Sequence, residues 1–123
     1  MQISDNQTDE KALAGLGAEA VQLLCSSDFS GLAKLFGYAI ALGREPATAI
    51  RDDLASSLSQ LNATCLDSSR EHSTRVKYFG QNDTGLFALV ECAVPANNCA
   101  ELLMELIVTD SKHVRLEQIS AAA

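Results

Sequence analysis

Apolar positions recur along this chain with two periods, and the change of period divides it. Between Leu13 and Leu61 they recur every three or four residues, the mark of helices with one buried face. Between Val76 and Leu116 they alternate with polar residues, the mark of strands whose side chains point to opposite faces.

The first predicted helix starts near Thr8 or Asp9, where Asp9 and Glu10 meet the positive end of the helix dipole. Leu13, Leu16, Ala20 and Leu23 or Leu24 form its stripe, and it stops around Cys25-Ser26-Ser27. Gly15 and Gly17 each weaken it by roughly 1 kcal/mol relative to alanine. The second helix is expected from Asp28 or Ser30 to Leu42, with Gly43 as its stop. It is apolar nearly all round from Leu35 to Leu42, which predicts a central position. Pro46 opens the third helix at the first helical position, where its missing N–H costs nothing. Ile50, Leu54, Leu58 and Leu61 form its stripe, and it ends near Asn62.

Residues 64–73 are polar and turn-like. Strands are expected over residues 74–79, 86–94, 100–109 and 113–119. Turn residues fill 80–85, 95–98 and 110–112. The prediction is an α+β fold: three N-terminal helices packed on one face of a four-stranded antiparallel sheet. One domain covers residues 1–123, with flexible tails at 1–7 and 120–123.

Alternation assigns the sheet faces. Val76, Tyr78, Leu86, Ala88, Val90, Cys92, Leu102, Met104, Leu106, Val108, Val114 and Leu116 share the face expected to meet the helices. The other face carries Arg75, Lys77, Phe79, Glu91, Glu101, Glu105, Arg115 and Glu117, with Phe87, Leu89, Leu103 and Ile107 among them. An apolar patch of this kind calls for a cover. A curled sheet packing under a loop, a homodimer and a docked partner protein are the three candidates.

Charge narrows the partner. The chain has 16 acidic and 9 Lys and Arg residues, a formal net charge of −7. Such a surface repels nucleic-acid phosphates and anionic membranes and attracts a cationic protein. The hydrophobic fraction of 47% argues against disorder. The start of the chain is polar, with no basic and apolar leader, so the expected location is cytoplasmic.

Chemistry is sparse. Cys25, Cys65, Cys92 and Cys99 form no CxxC pair and are read as reduced thiols; a Cys92–Cys99 bridge needs a hairpin that sets the two opposite each other. His72 and His113 lie in no catalytic or zinc motif. Asp52 and Asp53 are adjacent on a helix and point about 100° apart, so they form no dyad. Glu91 and Glu105 can converge across neighbouring strands, as surface charge. No glycine-rich phosphate loop is present. No cofactor, metal or catalytic residue is expected.

In outline the chain resembles small bacterial immunity proteins, the antidotes of contact-dependent or type VI effector toxins. The resemblance rests on the helix ending Leu23-Leu24-Cys25-Ser26-Ser27-Asp28-Phe29, the Pro46-initiated helix and the long strands 86–94 and 100–109. The order of elements is also similar to a reduced cystatin-like or NTF2-like fold. The first resemblance implies a protein that blocks the active site of a basic toxin. The pattern of the outer sheet face and the acidic charge, rather than the resemblance, give the expected binding surface: Glu91, Glu101 and Glu105 around Leu89 and Leu103, with Asp52 and Asp53 as a second choice. The second implies a small molecule held, or transformed, in a pocket between helices and sheet.

Overall fold

A computed structural model describes residues 1–80 and 83–121. Three helices, α1 (Glu10–Cys25), α2 (Phe29–Phe36) and α3 (Pro46–Gln60), precede four strands, β1 (Ser73–Tyr78), β2 (Leu86–Pro95), β3 (Glu101–Thr109) and β4 (Val114–Ser120). The strands form an antiparallel meander in the order β1-β2-β3-β4. The expected α+β plan is thus the observed one. Part of the predicted turn at 80–85, including Asn82, and the last two alanines lie outside the described residues.

In α1, Leu13, Gly17, Ala20, Val21 and Leu24 are buried, a helical stripe facing the sheet. The Glu45 side chain accepts the Thr48 N–H at 2.7 Å and caps α3, with Pro46 at its first position. Ile50, Leu54 and Leu58 of α3 are buried as the spacing predicts. Opposite them, Ala88, Val90, Cys92, Leu102, Met104, Leu106, Val108, Val114 and Leu116 are almost wholly enclosed. The middle of the predicted inner face is therefore the core.

Three expectations fail for physical reasons. The second helix does not reach Leu42. It ends at Phe36 because Gly37 takes φ of 67°, a left-handed conformation in which glycine carries no steric penalty. The freed segment buries Tyr38 and Ala41 and donates the Ala39 N–H to the Leu116 carbonyl of β4 at 2.9 Å. The N-terminal residues are not a loose tail. Ile3 is buried, and Gln2 bridges His113 beside β4. Ser120, assigned to the other tail, closes β4.

The third failure concerns strict alternation. Gln118 pairs with Glu105 while Leu116 pairs with Leu106, so Glu117 is an extra residue in β4. That bulge returns Ile119 to the buried side, where continuous alternation would have exposed it. A second bulge falls at Phe87, between the pairs Leu86–Thr109 and Ala88–Val108. Near it Tyr78, assigned to the core, is exposed, and its hydroxyl donates to the Thr8 carbonyl at 2.7 Å.

Candidate functional site

The outer sheet face places three carboxylates together. Glu91 on β2 and Glu105 on β3 are directly opposed partners, and the β4 bulge presents Glu117 beside them. Like charges directly opposed across strands repel. The face answers two of the three. Lys77 Nζ lies 3.0 Å from Glu91, and Arg115 Nε lies 3.2 Å from Glu117. No ion pair to Glu105 forms among the described residues. Burial, then Glu91 and Glu117, push its carboxyl above the ordinary carboxylate value, and Lys77 pulls the other way with less effect.

Apolar residues frame this centre. Leu89 is opposed to Ile107, and Ala93 to Leu103. Ile107 is buried, and Leu89 and Leu103 are half-buried under charged neighbours. The face is a mosaic, with apolar ground between charged side chains, as the interspersed charges of the sequence lead one to expect. Phe87 is set apart at its bulge. Lys112 Nζ sits 4.2 Å from its ring centroid, and Tyr78 packs edge-on at 5.8 Å. Glu101 is exposed at the start of β3, opposite Pro95.

Asp52 and Asp53 belong to the helical layer, away from this face. Asp52 is exposed and lies 3.3 Å from Arg51. Asp53 is committed within the chain. It accepts the Tyr38 hydroxyl and pairs with Arg44 at 3.0 Å, which holds the 37–45 loop against α3. Nothing in the spacing of Tyr38, Arg44 and Asp53 announces that clamp, because it forms only once α2 ends at Phe36 and frees Tyr38 from the helix.

A groove of about 370 Å³ runs between the C-terminal part of α1, residues 67–72 and the end of β2. Cys25 and His72 both line it, with Val21 and Pro95 beneath. Burial pushes the Cys25 thiol above its ordinary value, the wrong direction for an activated nucleophile. The space between helices and sheet is filled by the core.

Among the described residues, no group of three or more His, Cys, Asp or Glu is placed to hold a metal ion, and no helix is long and apolar enough to cross a membrane. The Cys92–Cys99 bridge is excluded by register, since Cys92 is buried opposite Met104 while Cys99 lies exposed in the turn. No protein-family model, curated protein or solved structure matches the chain.

Proposed function

We propose that the protein works by binding another protein on the outer face of its sheet, as an inhibitor that occludes a basic active site. The carrying observation is Glu105, a half-buried carboxylate opposed to Glu91 and left without an ion pair among the described residues. The crowded charge costs stability in the free protein, and an incoming lysine or arginine relieves it. Leu89 and Leu103 supply apolar ground around that contact, while Glu91 and Glu101 extend the acidic field that steers the encounter. Against a toxin that acts on phosphates, these carboxylates occupy the place of the substrate. The crowded carboxylates and the overall charge of −7 support the antidote reading, a cytoplasmic protein neutralising a cognate toxin.

The test is affinity capture from the native host, with wild-type protein and Glu105→Lys as paired baits. The expected result is a basic protein held by the first and lost from the second. Association of that partner slows with salt, as the screening length falls from roughly 30 Å at 0.01 M to roughly 8 Å at 0.15 M. Equal capture by both baits removes this face as the interface. The small-molecule reading replaces it if no protein is captured and a metabolite raises the melting temperature.

A further inference from the structure

The two edges of the sheet are treated differently. The first half of strand β4 is closed by the chain itself. Ile3 N–H donates to the Lys112 carbonyl at 3.0 Å, Val114 N–H to the Met1 carbonyl at 2.6 Å, and Ala39 N–H to the Leu116 carbonyl at 2.9 Å. Among the described residues strand β1 has no such cover. Phe79 N–H donates inward to the Phe87 carbonyl at 2.9 Å, which sets the phase of the β1–β2 ladder. In an antiparallel ladder bonded residues alternate, so Ser73, Arg75 and Lys77 spend their backbone groups on β2. Thr74, Val76 and Tyr78 then present theirs to the open edge. No backbone hydrogen bond from another described residue reaches those three. An open row of donors and acceptors is a template for one more strand.

The side chains on that row select the occupant. Arg75 and Lys77 flank Val76 on the outer face; Lys77 is engaged with Glu91, and Arg75 has no ion pair among the described residues. A second copy of this chain is disfavoured in the central registers. A twofold antiparallel pairing centred on Val76 sets Arg75 against Lys77 of the other copy, and one centred on Arg75 or Lys77 sets that cation against itself. Like charges directly opposed destabilise a strand pair, and opposite charges support it.

We infer that the β1 edge is a strand-addition site for an extended acidic peptide segment, whose backbone bonds Thr74, Val76 and Tyr78 and whose alternate carboxylates meet Arg75 and Lys77. The backbone groups of this site lie on the strand edge, while Arg75 and Lys77 stand on the same outer face as Glu91 and Glu105. The segments it fits carry Asp or Glu at every second position with small or β-branched residues between them, and they come from another protein.

The probe is a capped peptide alternating valine and glutamate, titrated into the isotope-labelled full chain and followed by amide NMR. The expected response is a saturable shift concentrated on residues 73–78, with the peptide in which lysine replaces glutamate binding at least about ten-fold more weakly. Two further peptides carry N-methyl groups on alternate residues, in opposite phases. Blocking one edge of the peptide abolishes binding, and blocking the other leaves it. The exposed substitution Arg75→Glu inverts the preference, so that the lysine peptide binds the better. The inference is overturned by shifts centred on Leu89, Leu103 and Glu105, by equal binding of both N-methyl phases, by an unchanged preference in Arg75→Glu, by a dimer of the free protein paired through β1, or by no binding at millimolar peptide.

Discussion

Asp53 on α3 receives the Tyr38 hydroxyl and both terminal nitrogens of Arg44, the latter at 3.0 and 3.3 Å. Tyr38 follows the glycine that ends α2, and Arg44 stands just before the cap of α3. One carboxylate therefore ties together the segment that connects the two helices. Arg44 also donates to the carbonyls of Ala41 and Ile40 at 2.8 Å each, so the loop is bonded along its own length as well. Burial alone raises the Tyr38 phenol, and the hydrogen bond to Asp53 adds to it.

The first prediction concerns acid. At Asp53, burial works to raise the carboxyl, but the hydrogen bonds from Arg44 and Tyr38 and the Arg44 charge outweigh it and hold it low. A carboxyl held lower in the folded state than in the unfolded chain stabilises the fold above its unfolded value of about 3.9, and the contribution is lost as pH falls through the folded value. Asp53→Asn is expected to cost about 1–3 kcal/mol at pH 7. Its deficit relative to wild type shrinks as the pH falls below about 4. Urea unfolding across pH reads this directly, and a deficit that does not change with pH would exclude the charged clamp.

Two glycines in α1 provide a matched pair. A Cβ on Gly15 meets nothing within 4 Å, whereas one on Gly17 falls 2.9 Å from Cys92 Sγ and 3.1 Å from Val90 Cγ1. Gly15→Ala therefore keeps the helix-propensity gain and raises stability by about 0.5–1 kcal/mol. Gly17→Ala pushes the helix off the sheet and lowers stability by about 1–3 kcal/mol despite the same gain. Melting temperatures that move in the same direction for both would show that α1 does not lie this close to β2.

Thiol chemistry follows burial. Cys65 and Cys99 are exposed, Cys25 is intermediate, and Cys92 is buried beneath Gly17. Burial pushes the Cys92 thiol up to about 11, while the Thr74 hydroxyl, 4.0 Å away, acts weakly in the opposite direction. An aromatic disulfide reagent at pH 8 is expected to label Cys65 and Cys99 in a fast phase and Cys25 more slowly. Cys92 is labelled at the rate of unfolding. Mass spectrometry of the time course assigns each site, and fast labelling of Cys92 would contradict its place in the core.

What the sequence by itself determined is periodic and local. The stripe Ile50, Leu54, Leu58 announces α3, because a helix with one buried face has no other pattern available. The alternation through Val90, Cys92, Met104 and Leu106 announces the inner sheet face for the same reason. Of the candidate binding residues, Glu91 and Glu105 were legible as sharing one face by alternation, while the register that sets them directly opposite came from the packed hairpin. What the tertiary structure alone decided is where those periods break. The run from Leu35 to Leu42 is apolar nearly throughout and reads as one helix, yet the chain leaves the helix at Gly37, where Tyr38 reaches Asp53 and Ala39 reaches β4. The bulge at Glu117, which brings a third carboxylate to Glu105 and buries Ile119, leaves no mark in a two-residue alternation. The identity of the open edge is decided in the same way. Strand order follows from connectivity, but whether β1 or β4 is covered depends on where Met1–Ile3 and Ala39 settle. Such choices are made by backbone groups, which every residue carries alike, so side-chain pattern cannot encode them and only the packed chain can.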